Sequence, residues 1–304
     1  MAFEADLLVD RRRLKRHLAT WRTLAIIALA GIAALLIAQR SGGIIIGSHI
    51  ARLWVDGIIQ DDDDRLDALK DVADNDSVKA LVVRIDSPGG TVVGGETLYR
   101  ALREVSEKKP VVAVIGGLGA SAAYMTAIAC DRIFAHEGSV TGSIGVIMQT
   151  TEVSELLKRI GVSTEAIKSG PLKATPSPLE PMTPAAREHA QQIVADMFQM
   201  FLGMVTERRK LTPDAVKQVS DGRVFVGRGA LDLNLIDDIG GEAEALAWLD
   251  KDRGISKSLP VRDVKYGTDA SGILDLVGSF ARRMIGGSRL TLDGLVAVWH
   301  PDLR

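Results

Sequence analysis

The chain is short of the residues that staple folds and bind metals. Its one cysteine, Cys130, excludes an intrachain disulfide and a thiolate metal cluster. The five histidines, His17, His49, His136, His189 and His300, are scattered without ligand spacing. The acidic run Asp61 to Asp64 lacks the alternation and glycine of a calcium loop and reads as a solvated turn. No metal and no cofactor is therefore expected. Aromatic residues make up only 4%, too few to stack single-stranded bases, and a formal net charge of -2 offers no broad attraction for phosphate backbones. Nucleic acid is not an expected partner. Thirty glycines against 10 prolines show no three-residue period, so collagen is excluded. What is present is 46% hydrophobic and 25% charged over 304 residues, enough to bury the core of one large domain or two ordinary ones.

Charge is unevenly placed. Residues 1–22 carry Arg11, Arg12, Arg13, Lys15, Arg16 and Arg22 against Glu4, Asp6 and Asp10. The apolar run TLAIIALAGIAALLIA follows at 23–38. As a helix it rises about 24 Å, slightly short of the ~30 Å hydrocarbon layer, with Trp21 and Gln39 adding interfacial turns. A basic flank before such a run predicts a single-pass anchor at 23–39, N-terminus inside and the following residues outside. A cleaved signal peptide has the same charge order. Leu36-Ile37-Ala38, however, lacks the small residue two positions before the last alanine that a cleavage site needs.

Past the anchor, β-branched runs alternate with helical stretches, the pattern of an α/β domain with a largely parallel sheet. Strands are expected at His49–Ile59, Val78–Asp86 and from Val111. The Leu-Val-Val core of the second is continuous enough to be buried on both faces. Helices are expected at 65–73, 96–107 and 121–130, and further βα units at 145–160 and 163–168. Five prolines between Gly170 and Pro184 mark a loop or flap. Thr183-Pro184 then opens a long helix to about Lys210, whose Ile193, Met197, Phe201 and Val205 recur every four residues as a packing stripe for the sheet or another subunit. Thr212–Val219 is a short helix, and 223–241 a strand-and-turn unit. The chain is expected to divide into a cytoplasmic segment at 1–22, an anchor at 23–39, one large α/β domain at 48–250 and an extension at 251–304, with a helix near 273–284 and an apolar stretch at 290–299.

In parallel α/β sheets, ligands bind beyond the carboxyl ends of the strands. Two such ends stand out. Asp86-Ser87-Pro88-Gly89-Gly90 offers paired glycines whose N–H groups can turn toward a developing oxyanion. In Gly116 to Tyr124, Ser121 sits where a glycine-rich turn enters a helix. Alone, a serine in that place is more often an N-cap. Its base is either a histidine of a triad, His136 or His189, or a lysine held neutral, Lys168 or Lys173.

The segments IDSPGG at 85–90, ASAAYMTAIACDRIFA at 120–135, TGSIGV at 141–146, IKSGPLKA at 167–174 and DGRVFVGRGALDLNLID at 221–237 together resemble the signal peptide peptidase A family. The resemblance spans about residues 50–245 in the family's order. It implies a membrane-anchored Ser/Lys endopeptidase of the short form, with a ClpP/crotonase-like fold of repeated ββα units. It makes Ser121 the nucleophile and Lys173 the general base, with Lys168 as fallback, and gives Ser143 the task of orienting the lysine amine. The oxyanion donors are the backbone N–H groups of Gly90 and Ser121. It also implies remnant signal peptides as substrates, a site on the outer face of the bacterial cytoplasmic membrane, and a homo-oligomeric ring or dome in which neighbouring protomers share the dyad. One departure is Ala122-Ala123, where the family has two glycines; the extra methyls are either tolerated in an open helix turn or narrow the adjoining substrate pocket. The competing readings are a crotonase-type acyl-CoA enzyme, which shares the paired-glycine turn, and a non-catalytic peptide-binding scaffold at the membrane.

Overall fold

Alternation along the β-branched runs sets the frame. Within β1 (His49–Ile59), β2 (Val78–Thr91) and β3 (Val111–Ala120), successive side chains enter opposite faces of one sheet, and both faces are covered over the central residues of β2 and β3, whereas Trp54 and Ile58 of β1 are exposed. Leu81, Val82 and Val83 are all fully buried. Leu81, Val83, Val111 and Ala113 join the larger core, beneath helices α1 (Asp63–Asp74), α2 (Val92–Lys108) and α3 (Ala122–Ile128). Ala80, Val82, Val112 and Val114 pack on the other face against Trp248 and Leu249 of α8 (Glu242–Arg253). Each fully buried aliphatic side chain contributes roughly 1.5–3 kcal/mol.

The computed structural model describes residues 20–28, 47–266 and 295–298, divided between two units, Met1–Gly47 and Ser48–Arg304. In the first unit, residues 20–28 are helical. The remainder of the expected anchor lies outside the described residues, as does the helix expected near 273–284. Among the described residues, no helix is long and apolar enough to cross a membrane.

In the second unit, β1, β2, β3, β4 (Arg132–Ala135) and β8 (Asp238–Ile239) run parallel in that order. β9 (Val261–Asp263) adds in parallel outside β1. β5 (Val140–Gly142) pairs with the end of β3, and β7 (Val224–Val226) lies antiparallel on β5. β6 (Ile147–Met148) and β10 (Leu295–Val298) are antiparallel additions, so the sheet, with ten strands among the described residues, is mixed rather than wholly parallel. The expected ββα unit takes a condensed form, because its second strand is the continuation of the first past an irregularity. β2 shifts register between Ile85 and Ser87. β3 pairs with β4 over Val112–Ile115 and with β5 over Leu118–Ala120.

Two expectations are corrected. The acidic run is not a free turn. Asp62 accepts the Arg65 N–H at 3.1 Å as the N-cap of α1, Asp63 and Asp64 fill the first turn, where the helix dipole favours them, and Asp61 accepts from Thr97 at 2.9 Å. Residues 163–168 form no βα unit and are almost wholly exposed. The short strands β4 and β5 fill the stretch after Cys130, for which no element was expected. The remaining helices are α4 (Ser154–Arg159), α5 (Pro184–Arg209), α6 (Pro213–Val219) and α7 (Gly227–Asp232). Thr183 and Thr212 cap α5 and α6 as their Thr-Pro pairs predict.

A buried ion pair ties the end of α5 to the sheet. Arg209 is 9% exposed, reaches both carboxylate oxygens of Asp237 at 2.9 and 3.1 Å, and donates to the Asn234 carbonyl at 2.7 Å. Asp237 in turn accepts the Ile133 N–H of β4 at 2.7 Å. Arg209→Leu leaves that carboxylate without its cation. It should cost about 3 kcal/mol, read as a lower urea midpoint; an unchanged midpoint would count against this role.

Candidate active site

Two serines with strained backbones stand side by side. The parallel ladder between β3 and β5 ends at Ala120 opposite Gly142, so the next residues out are Ser121 and Ser143. Both have positive φ, 57° and 51°, a region that L-residues other than glycine rarely occupy. Ser121 is 1% exposed and Ser143 8%. The Ser121 N–H donates to the Gly142 carbonyl of β5 at 2.8 Å, and the Ser143 N–H to the carbonyl of Arg223, just before β7, at 2.9 Å, so each bend is pinned by a main-chain hydrogen bond.

Ser121 occupies the N-cap position of α3 but makes no side-chain capping bond; with φ 57° and ψ -122° it sits in a sharp strand-to-helix turn. A capping serine adopts extended dihedrals and spends its hydroxyl on the helix amides, as Thr183 does for α5. The N-cap reading of Ser121 therefore does not fit. Its hydroxyl is presented at the end of the turn and forms no hydrogen bond among the described residues.

The helix behind this serine is held at its far end. Arg208 donates to the Ile128 and Cys130 carbonyls at 2.8 and 3.0 Å, and Arg103 to the Ala129 carbonyl at 3.0 Å. Two guanidinium groups thus meet the negative end of α3. The buried Tyr124 hydroxyl donates to the Leu235 carbonyl at 2.8 Å, and burial pushes its pKa up. Burial also pushes the Cys130 thiol up, which keeps it protonated. Cys130 should resist thiol reagents in the native protein and react fully in denaturant; rapid native labelling would contradict its burial.

Gly90 closes the site from the β2 side. It pairs with Ile59 of β1, and a Cβ built on it would lie 1.8 Å from the Ile59 carbonyl oxygen, so only glycine fits. The turn before it is fixed by Ser87, whose hydroxyl donates to the Gly57 carbonyl at 2.6 Å and accepts the Gly89 N–H at 3.1 Å. Gly90→Ala should lower stability by about 1–3 kcal/mol and abolish any activity of the site, measured by thermal melting beside a peptide assay; an unchanged melting temperature would contradict the close approach.

Two further expectations need correction. The Ser121 N–H is spent on Gly142 and is not free for an oxyanion. The next amide, Ala122, opens α3 and by position has no carbonyl one turn back within the helix. Nor do the methyls of Ala122 and Ala123 project into open space: both residues are fully buried in the core, and a Cβ on Gly95 of α2 would lie 3.0 Å from that of Ala122. The bulk that replaces the family's glycines is absorbed by the α2–α3 contact.

The candidate bases are dispersed. Lys173 lies in the proline-rich loop, exposed, with no salt bridge or hydrogen bond from its amine among the described residues. Lys168 is ion-paired with Glu180, which commits its ammonium elsewhere. His136 and His189 are both exposed, and no hydrogen bond links either to Ser121.

Sequence reasoning missed a groove of about 630 Å³ beside Ser143, lined by Val146 and Met148, by Val194 and Phe198 of α5, and with Arg187 and Asp221 as its charged members. Its signal lay in the stripe of α5. The far half of that helix buries Phe201 and Val205 in the core, while the near half is left to form a wall.

Comparison with known proteins identifies the family of the chain. The family model for peptidase family S49 matches residues 103–256. A putative protease of Synechocystis is 41% identical over 201 residues, 66% of this chain and 72% of the other. A putative protease of Methanocaldococcus jannaschii is 33% identical over 262 residues, covering 80% and 83%. A putative signal peptide peptidase SppA of Enterococcus faecium is 28% identical over 262 residues, covering 82% and 73%. Among solved structures, a membrane-bound stomatin-specific protease shares the fold at a TM-score of 0.50 with 12% identity, over 73% of this chain and all of the other. On these matches the chain belongs to peptidase family S49, the family of signal peptide peptidase A, and is a protease.

Proposed function

We propose that the chain is a serine endopeptidase in which Ser121 attacks the peptide carbonyl and Lys173 of a neighbouring copy removes its proton. The observation that carries this is Ser121 itself: a non-glycine residue with φ 57°, buried, at a strand-to-helix turn, with a hydroxyl that caps nothing. Such strain is retained where a nucleophile must be aimed. In the reaction the Ser121 Oγ–carbon bond forms as the proton passes to the amine. The Gly90 and Ala122 N–H groups hold the oxyanion, the same proton leaves with the departing amine, and water then releases the acyl group. Ser143, beside Ser121 in the ladder, accepts from or donates to the incoming lysine. Ser143→Ala should slow turnover about tenfold, the worth of one neutral hydrogen bond.

The second copy is argued from exposure. The stretch that carries Lys173 leaves Leu156 60%, Ile160 66%, Ile167 99% and Leu172 40% exposed, apolar surface that a protein partner would cover. Sharing the dyad around a closed ring also restrains the protease, since a lone chain is inactive. The basic segment 1–22 and apolar run 23–38 support anchoring in the bacterial cytoplasmic membrane with the catalytic unit outside. Apolar peptides leaving the bilayer, such as remnant signal peptides, are the substrates this placement favours. The test is cleavage of a quenched apolar peptide by the full chain in detergent. Turnover of a CoA thioester in place of the peptide would overturn the assignment.

A further inference from the structure

One strand of the sheet is seated directly beside the residues of the proposed site. β10, residues 295–298, runs antiparallel to the end of β2, with Val296 opposite Thr91, Ala297 opposite Gly90 and Val298 opposite Gly89. Its other edge is antiparallel to β6, with Leu295 opposite Met148 and Val296 opposite Ile147. Both flanks belong to the site. Gly90 is the oxyanion donor of the proposed mechanism, and Ile147 lies four residues beyond Ser143. An extended peptide held by main-chain hydrogen bonds along a strand edge is a general mode of peptide recognition. The sequence Leu295-Val296-Ala297-Val298 carries no charge, and a small residue stands opposite Gly90.

We infer that residues 295–298 occupy the peptide-binding path between β2 and β6, so that substrates bind only in competition with the chain's own strand. This rests on the serine endopeptidase reading for what the path is used for, but the strand's seat is independent of it. Competition of this kind reduces apparent substrate affinity by the fraction of molecules whose path is open. It leaves the chemical step untouched once substrate is bound.

Ala297→Pro in the full chain tests this. Proline has no N–H to give and is not accommodated in a strand paired on both edges. With the strand docked nine-tenths of the time, the variant should show a KM for a quenched apolar peptide about tenfold lower, with kcat unchanged. Amide hydrogen exchange at Gly89–Thr91 and Ile147–Met148 should accelerate. A synthetic peptide of residues 293–300 should inhibit the variant competitively and slow that exchange again. Unchanged KM together with unchanged exchange, or no inhibition by the peptide at millimolar concentration, would overturn the inference. Absence of peptide cleavage by either protein, with exchange still faster in the variant, would remove the protease reading and leave the strand in its seat.

Discussion

Ser121→Ala should abolish peptide cleavage, lowering kcat by about 10⁴- to 10⁶-fold, while the protein melts within a degree or two of the wild type. The size of the effect follows from the role. Without Oγ no acyl-enzyme forms, and the oxyanion donors alone retain only a residual rate. The small effect on stability follows from the geometry, because the hydroxyl makes no hydrogen bond among the described residues whose loss would be felt. The N–H that pins the turn to the Gly142 carbonyl is kept in alanine, although a methyl tolerates φ 57° no better than serine does. A variant that keeps a tenth of wild-type activity would deny Ser121 the nucleophile's part. One that loses activity only by unfolding would make it a structural residue.

Lys173→Ala should be nearly as severe, about 10²- to 10⁴-fold in kcat, the usual contribution of a positioned general base. The more telling form of the experiment mixes two dead chains. If each site takes its serine from one protomer and its lysine from the next, a ring assembled at random from Ser121→Ala and Lys173→Ala chains should regain about a quarter of wild-type activity, because only one ordered pairing in four is complete. The reverse is equally clear. If both groups came from one chain, no mixture would recover activity, and the exposed Lys173 would have to swing inward within its own loop. Lys168 is a poorer candidate. Its ammonium already faces Glu180, and freeing it means breaking that pair first.

Much of the core was legible in the residues. The Leu-Val-Val run of β2 is buried on both faces because helices cover both, and a continuous apolar run is what such a strand requires. Thr183-Pro184 and Thr212-Pro213 announced their helices because a capping hydroxyl followed by a pre-set φ is a strictly local signal. The small strands β4 and β5 were not readable, whereas β6, β7 and β8 fall inside the units expected at 145–160 and 223–241. Three or four residues leave no room for a period to show, and β4 and β5 are strands because β3 offers them its edge. The site was legible as a set of residue types. Its spatial logic was not: the adjacency of Ser121 and Ser143 is a matter of ladder register, and the diversion of the Ser121 amide to Gly142 is a hydrogen bond across 21 positions of sequence. The strand at 295–298 was an apolar stretch without a partner until the sheet placed it opposite Gly90.

The most direct test is to treat the assembled protein with a serine-reactive phosphonate and map the adduct by peptide mass spectrometry. The account predicts a single modified site, the Ser121 hydroxyl, with loss of peptide cleavage in step with labelling and little adduct in Lys173→Ala. An adduct on another residue, or none on a preparation that still cleaves peptides, would contradict it.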